Sequence, residues 1–472
     1  MTALLFAIFY LAHFFVPGYC LLRFFRFRRH LFFLSLSLSY LLHHLILAVC
    51  HWFNGPPVLF TLLNIAVLFS TGLLLLWSGP GPWTQRTGFA QTNEYAKNDA
   101  HTGPTSDWAE KRGVWLAGTI PIVLVLVYLT FDGPYLEVPA DIWQHLGSMQ
   151  DLFNRHFIAA QPFDDGIREF LFDNPNTWYF TLPWLADLLN VRVEALIQPL
   201  SLVNSAIFLT GIYIFSLHTL ENLPLKRTYW LLASALSVAF CFLHFGVNIF
   251  SYVRYYVAAP AFLNHLVFLG SILVFWDVIR GLPRPGWGMV FVAVSIMSMA
   301  LVHPQEAIFA GVMTIGLAIY FLSTRPWRHP ESQHTGSLNP ARLKLGWIIC
   351  SVILIGAVVL LCGSLMMRNP VGEAKDFGRF LRPLSYSLPF LNNLYVAQPA
   401  FHAYHAVTVW GISVYVLFLL HLKFFRASPI LVVALLTPLL TIFNPLFVEF
   451  FLRFKSPEPI YRFIYIVPLY LV

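Results

Sequence analysis

Acidic residues are concentrated in one part of the sequence. Eight of the 22 acidic residues lie between positions 132 and 180, together with only two basic residues. Within this stretch Asp141 follows a Pro-Ala pair in "YLEVPADIWQHLGSMQ", and His145 lies one helical turn later on the same face. Asp141 therefore has two interpretations. It caps a helix by accepting hydrogen bonds from first-turn amides, or it takes a proton from a hydroxyl group as a general base.

Basic residues stand out in two other places. Positions 367–405 hold four basic and two acidic residues, and Arg379 and Arg382 in this stretch are spaced for one face of a helix. Arg254 lies among tyrosines in "SYVRYYVAAP". A guanidinium group stabilises a departing phosphate anion, whereas the alternative role of such a residue is to reach lipid headgroups from the end of an apolar helix.

The motif "HPQE" combines a histidine and an acid in a tight turn between two apolar runs. Pro304 is suited to the first position of a helix, and Glu306 would lie in the first turn, where the helix dipole favours an acid. Capping alone explains the motif. The alternative is that His303 and Glu306 bind sugar hydroxyls.

The composition indicates what kind of protein carries these residues. The chain of 472 residues is 58% hydrophobic and 11% charged, and soluble domains are about 45–50% apolar and about 25% charged. This excludes an ordinary soluble enzyme. Runs of about 20 apolar residues, enough to cross a bilayer, recur along the chain. They are predicted near 2–22, 31–51, 57–78, 114–131, 194–218, 228–246, 256–277, 287–302, 306–322, 346–366, 406–422, 429–450 and 460–472.

These runs predict an all-α, polytopic integral membrane protein with about 12–13 transmembrane helices. The expected organisation is a three-helix transmembrane segment at 1–78, a polar cytoplasmic loop at 79–113, and a core at 114–472 with outer loops at 132–193 and 367–405. The first outer loop should contain interfacial helices. "ADIWQHLGSMQDLFNRHFI" has helical spacing of its apolar residues, and "FLFDNPNTWYFTLPWLADLL" is typical of an interfacial re-entry segment.

The distribution of Lys and Arg predicts the orientation. If residue 1 lies outside, the cytoplasmic connections hold 18 of the 29 Lys and Arg residues and the outer face holds 11. The positive-inside rule favours this arrangement, which places the acid-rich stretch outside. Because the basic residues are scattered over short loops, the net charge of +7 does not indicate a nucleic-acid partner.

From residue 114 onward the chain resembles the C-type membrane glycosyltransferases that use polyprenyl-phosphate-linked sugars. The resemblance depends on "EVPADIWQH" in a long outer loop and on the many following spans. It implies that Asp141 is the catalytic base and that basic residues of other outer loops hold the lipid phosphate. The simplest family pattern places the catalytic loop after the first span. Three further helices precede that loop here, so either they are an N-terminal addition or the core is numbered from a different helix.

Some members of this superfamily use a metal ion bound by a second acidic motif. The resemblance makes Asp164 and Asp165 the candidate ligands here, for Mg²⁺ or Mn²⁺. Adjacent acids in a loop are more often solvated surface, and the cofactor stays undetermined. No cluster of Cys and His indicates zinc.

The expected function is transfer of a sugar from a polyprenyl-phosphate-linked donor to an acceptor on the extracytoplasmic side. Asp141 would be the base, and His145, Arg254, His303, Glu306, Arg379 and Arg382 would bind substrate. The expected location is the plasma (inner) membrane, with the active site facing outward and membrane lipids around the helices. The alternatives are a flippase or transporter of lipid-linked sugars and a polysaccharide polymerase.

Overall fold

The computed structural model describes a series of helices that extends to residue 452. The described residues are 2–25, 27, 29–53, 56–77, 106–132, 176–220, 223–224, 226–242, 260–280, 285–302, 304–324, 381–383, 395–397, 413 and 415–452. Within these ranges the fold is helical except for one short pair of strands, so the all-helical prediction is confirmed there apart from that pair.

The elements are numbered in chain order. The first part contains α1 (Thr2–Phe14), α2 (Val16–Phe24), α3 (Leu31–Trp52), α4 (Pro57–Trp77), α5 (Ser106–Asp132), α6 (Asn176–Leu188), a 3-10 turn (Val193–Leu196), α7 (Ile197–Leu220) and α8 (Arg227–Phe242). The second part contains α9 (Pro260–Ile279), α10 (Pro285–Val302), α11 (Pro304–Thr324), β1 (Leu381–Pro383), β2 (Tyr395–Ala397), α12 (Leu422–Phe425), α13 (Pro429–Leu440) and α14 (Pro445–Leu452).

The chain divides into two compact units. Unit 1 comprises 1–217, 227–242 and 252–270, and unit 2 comprises 218–226, 243–251 and 271–472. Unit 1 therefore contains α1–α6, most of α7, α8 and the first half of α9. The predicted organisation into an N-terminal segment, a polar loop and a core stays a prediction.

Six helices among the described residues are long and apolar enough to cross a membrane. They are Thr2–Phe24, Leu31–Cys50, Pro57–Trp77, Gly113–Phe131, Val193–Leu220 and Gln305–Ser323, and each overlaps a predicted span. Four apolar helices are shorter: Thr228–Phe240, Leu263–Ile279, Gly286–Val302 and Pro429–Leu440. This is compatible with an integral membrane protein. The predicted spans 346–366 and 460–472 lie outside the described residues.

The first span is interrupted in its middle. Pro17 has no backbone N–H to donate to the carbonyl of His13, and the chain is non-helical at Phe15, with φ −130° and ψ −47°. The N–H of Gly18 donates instead to Ser39 Oγ of α3, at 2.9 Å. α2 and α3 therefore pack closely at Gly18, where a Cβ atom would collide with the carbonyl oxygen of Ser35.

Replacing Gly18 by Ala should lower the free energy of unfolding by about 1–3 kcal/mol, because the added methyl group meets backbone that cannot rotate away. The matched control is Gly72→Ala in α4, where nothing lies within 4 Å of an added Cβ. Replacing this helical glycine by Ala should raise the free energy of unfolding by about 0.5–1 kcal/mol. Unfolding in increasing concentrations of a denaturing detergent measures both. Equal effects would contradict close packing at Gly18.

Helices α5 and α7 are joined by a hydrogen bond near each end. Gln198 Nε2 donates to the carbonyl of Leu129 at 2.9 Å, and Tyr213 Oη donates to the carbonyl of Val114 at 2.6 Å. From the first bond to the second, the position on α7 rises by 15 residues while the position on α5 falls by 15 residues. The two helices are therefore antiparallel. The C-terminal end of α5 consequently lies beside the first turn of α7.

Unit 2 is built around α11. This helix packs against α10 and α13, and Val433 fills the space above Gly316. Ser428 Oγ, just before α13, donates to the carbonyl of Thr219 at 3.0 Å. The predicted continuous span 429–450 is instead two helices, broken at residues 441–444. Pro445 disfavours helical conformation at the preceding residue, Asn444, whose side chain accepts a hydrogen bond from Leu446 N.

The strand pair lies within the predicted outer loop 367–405. β1 and β2 are antiparallel, with Arg382 opposite Val396. The helical spacing expected for Arg379 and Arg382 does not hold at Arg382, whose backbone is extended. The physical reason is Pro383, which disfavours the helical conformation of the residue before it. Arg379 lies outside the described residues.

Candidate functional site

Most of the predicted site residues lie outside the described part of the chain. These are the predicted base Asp141, the predicted metal ligands Asp164 and Asp165, and the predicted substrate-binding residues His145, Arg254, His303 and Arg379. Arg382 is described as part of β1, and Glu306 as part of α11. Their roles stay predictions. Among the described residues no group of three or more His, Cys, Asp or Glu side chains is placed to hold a metal ion.

The predicted helix start at "HPQE" is confirmed. α10 ends at Val302, α11 begins at Pro304, and Glu306 lies in the first turn of α11. The Glu306 side chain is only 4% exposed. A carboxylate at this position interacts favourably with the positive end of the helix dipole.

A buried polar cluster in unit 1 was not predicted from the sequence. It consists of His13 of α1, His43 of α3, Thr61 and Asn64 of α4, and Thr181 and Trp184 of α6, and we call it the histidine cluster. Hydropathy alone predicts that His43 lies near the end of a span and packs at the membrane interface. The structure instead places His43 in the middle of α3 with 2% of its side chain exposed.

His43 connects three helices through both of its ring nitrogens. Nδ1 lies 2.9 Å from Asn64 Oδ1, and Nε2 lies 2.9 Å from Thr181 Oγ1. The Asn64 amide nitrogen donates to the carbonyl of Phe60 at 2.8 Å, which fixes Oδ1 as the acceptor facing His43. Nδ1 of His43 must therefore carry a hydrogen. In the neutral ring Nε2 is then an acceptor, for which the Thr181 hydroxyl is the donor.

Trp184 forms the second link between α6 and α4. Its Nε1 donates to Thr61 Oγ1 at 2.9 Å, and its ring meets the Phe60 ring at 5.1 Å between centroids, nearly perpendicular. The His13 ring approaches the Trp184 ring edge to face at 4.7 Å. Such edge-to-face contacts are the preferred geometry of aromatic pairs.

The pairings give the direction of α6. Trp184 of α6 bonds Thr61 of α4. Thr181 lies one turn before Trp184, and His43 joins it to Asn64, which lies one turn after Thr61. The two helices are therefore antiparallel. The beginning of α6 lies deeper between α3 and α4 than its end at Leu188. This helix was expected in an interfacial re-entry segment, and it enters unit 1 with residues 180–186 buried.

Local sequence explains where α6 ends. Asn190 has a positive φ of 52°, a conformation that Asn tolerates better than most residues. Its N–H donates to the carbonyl of Asp187 at 3.0 Å, and Val191 N donates to the carbonyl of Ala186 at 2.9 Å. These two bonds satisfy two carbonyls of the last turn, and the chain then continues to α7.

α1 is held to α7 at nearly the same level. Tyr10 Oη donates to Asn204 Oδ1 at 2.7 Å, and both side chains are buried. Hydrogen bonds between apolar helices contribute about 0.6 kcal/mol each on average and at most about 1.7 kcal/mol. Their larger consequence is registry, because each bond fixes one helix against another. The cluster offers hydrogen-bond donors and acceptors, and no Asp, Glu, Lys or Arg belongs to it.

The link between His43 and Thr181 should be measurable by a double-mutant cycle. His43→Ala and Thr181→Val should couple by about 1 kcal/mol, because either change breaks the same hydrogen bond. The matched control pairs His43→Ala with Thr71→Val, since Thr71 bonds only carbonyls of its own helix in the described contacts. These two effects should add within about 0.5 kcal/mol. Additivity of the first pair in detergent unfolding would contradict the link.

Comparison with protein-family models, with curated proteins and with solved structures finds no match for this chain. The assignment of a function therefore depends on its own residues and contacts.

Proposed function

We propose first that the chain is a polytopic integral membrane protein. α4 and α5 each expose a continuous row of large apolar side chains, which water would not stabilise. The exposed residues are Val58, Leu62, Ile65, Phe69, Leu73 and Leu76 on α4, and Trp115, Leu116, Ile120, Val123, Leu124, Val127, Tyr128 and Phe131 on α5. Their spacing covers one face of each helix. Lipid chains would solvate such faces, since both helices have transmembrane length.

The proposed orientation follows from the basic residues. With 18 of 29 Lys and Arg residues on one predicted side, that side would be cytoplasmic. The acid-rich stretch then lies outside, as it would in a protein of the plasma (inner) membrane.

We propose further that the protein transfers a sugar from a polyprenyl-phosphate-linked donor to an acceptor hydroxyl on the outer side. The observation that carries this proposal is the way residues 133–175 are joined to unit 1. Eight acids lie at 132–180. The segment follows the C-terminal end of α5, which lies beside the first turn of α7, and it leads into α6, which packs inside unit 1. An acid-rich segment that leads into the apolar bundle suits a substrate with a lipid tail and a polar head.

In the proposed mechanism Asp141 takes the proton of the acceptor hydroxyl as its oxygen attacks the anomeric carbon. The bond to the lipid phosphate breaks on the opposite face, so the configuration inverts and polyprenyl phosphate leaves as an anion. Arg254, Arg379 and Arg382 would stabilise that anion. His145, His303 and Glu306 would bind sugar hydroxyls, and Asp164 and Asp165 would be the ligands if Mg²⁺ or Mn²⁺ takes part.

A flippase of lipid-linked sugars is the second candidate, and two observations favour it. The first span is interrupted at its midpoint, and the histidine cluster lies at the same level. Carriers commonly bind their substrates beside broken helices near the middle of the membrane. A polysaccharide polymerase would use the same kind of donor as the transferase.

The experiment that separates these functions uses the purified protein in liposomes with a panel of radiolabelled polyprenyl-phosphate sugars. Transfer of label from the lipid to an added alcohol or saccharide is the result expected for a transferase, and growth of long chains would indicate the polymerase. If no donor supports transfer while a labelled lipid-linked sugar crosses between leaflets only in the presence of the protein, the flippase assignment replaces it.

A further inference from the structure

One end of unit 1 contains the ends of four helices. α6 is antiparallel to α4, so its last residue, Leu188, lies near Pro57, where α4 begins. The 3-10 turn that follows packs against α6, and α7 begins directly after it at Ile197. The C-terminal end of α5 lies beside the first turn of α7. The start of α4, the end of α6, the start of α7 and the end of α5 therefore share one end of unit 1, which we call the Pro57 end.

The opposite end of these helices carries two exposed tryptophans. Trp77 is the last residue of α4 and is 84% exposed, and Trp115 in the N-terminal half of α5 is 73% exposed. Lys111 and Arg112 precede Trp115 by about one turn of the same helix. Tryptophan is enriched where a membrane meets water, and Lys and Arg are enriched on the cytoplasmic side of that boundary. We call this the tryptophan end of unit 1.

The length between the two ends matches the apolar layer of a bilayer. α4 has 21 residues without a charged side chain, and the charge-free part of α5, Gly113–Phe131, has 19. At 1.5 Å per residue these lengths are about 31 and 28 Å, and the hydrocarbon core of a bilayer is about 30 Å thick. The exposed apolar rows of both helices extend along this length.

The histidine cluster determines the depth at which α6 begins. A step of three residues along α6, from Thr181 to Trp184, is matched by a step of three residues back along α4. The same registry places the first residue of α6, Asn176, level with Phe69 of α4. Phe69 lies twelve residues after the start of α4, about 18 Å from the Pro57 end. The start of α6 is therefore close to the middle of the apolar layer.

We propose that the two headgroup layers of the bilayer lie at the Pro57 end and at the tryptophan end, so that α6 is a re-entrant helix crossing only about half of the bilayer. This inference rests on the proposal that the chain spans a membrane, and it adds where the boundaries lie. The proposed orientation places the Pro57 end outside. The connection from α5 to α6 then begins at the outer boundary and ends within the apolar layer.

The test is quenching of tryptophan fluorescence by phospholipids that carry bromine either close to the headgroup or close to the chain ends, with the protein in liposomes. The emission lost in Trp77→Phe or Trp115→Phe, relative to the wild type, belongs to the replaced ring. It should be quenched more strongly by bromine close to the headgroups. Both positions are exposed, so the changes should leave the fold intact.

A matched pair on α4 measures the depth at the start of α6. Phe69→Trp and Val58→Trp each add a ring at positions that are 66% and 65% exposed. The added emission at position 69 should be quenched more strongly by bromine close to the chain ends, and that at position 58 by bromine close to the headgroups.

The outcomes separate this inference from the proposal on which it rests. Stronger quenching at position 69 by bromine close to the headgroups would place the start of α6 at a boundary and overturn the re-entrant helix, while α4 would remain in contact with lipid. Deep quenching of Trp77 or Trp115 would move the tryptophan end into the apolar layer and also overturn the inference. No quenching at any of the four positions would overturn the membrane proposal itself, and the inference with it.

Discussion

Asp141→Asn should reduce the rate of sugar transfer by about two orders of magnitude or more, the scale expected for loss of a general base. Asparagine keeps the size of the side chain and can still accept hydrogen bonds at a helix start, so a helix cap would survive the change. What disappears is the negative charge that takes the proton of the acceptor hydroxyl. The measurement is transfer of labelled sugar in liposomes containing equal amounts of the two proteins.

The matched control for Asp141 is Asp151→Asn, another acid of the same stretch. It should retain most of the wild-type rate, because the proposal needs one positioned carboxylate and not the charge of the whole segment. Equal losses in both variants would show that Asp141 has no special role. Unchanged transfer in Asp141→Asn would identify it as a helix cap only.

Trp184→Ala should lower the free energy of unfolding by about 3 kcal/mol or more. Trp184 is 2% exposed, its indole nitrogen bonds Thr61, and its ring contacts His13, His43 and Phe60. Truncation would leave a cavity among α1, α3 and α4 and remove the hydrogen bond that holds α6 to α4. Packing is the main force between helices in lipid, so the loss of a large buried ring is costly there as well.

The matched control for Trp184 is Trp115→Ala on α5, whose side chain is 73% exposed. A ring on this exposed apolar row makes few contacts within the protein, so the effect should be within about 0.5 kcal/mol. Unfolding by denaturing detergent compares the two variants under one condition. Similar losses for both would contradict the burial of α6 in unit 1.

These results would bear on different parts of the proposal. The Asp141 variant tests the chemistry of the outer segment, whereas the Trp184 variant tests the anchor that joins this segment to unit 1. The proposed arrangement predicts that the Asp141 variant keeps full stability and has strongly reduced transfer, whereas the Trp184 variant loses stability.

Much of the helical architecture follows from the sequence alone. Long apolar runs predict the six helices of membrane-spanning length, because a backbone in an apolar layer must satisfy its hydrogen bonds within each helix. Proline positions explain the local departures. The sequence analysis predicted continuous spans at 2–22 and 429–450, and the structure interrupts both. Pro17 and Pro445 account for these interruptions through the missing N–H and the restriction on the preceding residue.

The charged stretches that the proposal places on the outer side are also visible in the sequence, because their charge contrasts with that of the surrounding apolar runs. The enrichment of acids at 132–180 and the basic residues at 367–405 are visible without any coordinates. The strand at Arg382 is a partial exception. Helical spacing of arginines is a weak signal there, and Pro383 overrides it.

The tertiary structure alone decided the histidine cluster. His43 forms hydrogen bonds with Asn64 and Thr181, which are 21 and 138 positions away in the sequence. Trp184 forms one with Thr61, at a separation of 123 positions. A histidine in an apolar run signals a buried or an interfacial residue equally well. Hydropathy is a property of single segments, so it sets which residues form helices. Which polar side chains meet is set by the rotation and registry of one helix against another, which depend on the packing of all of them together.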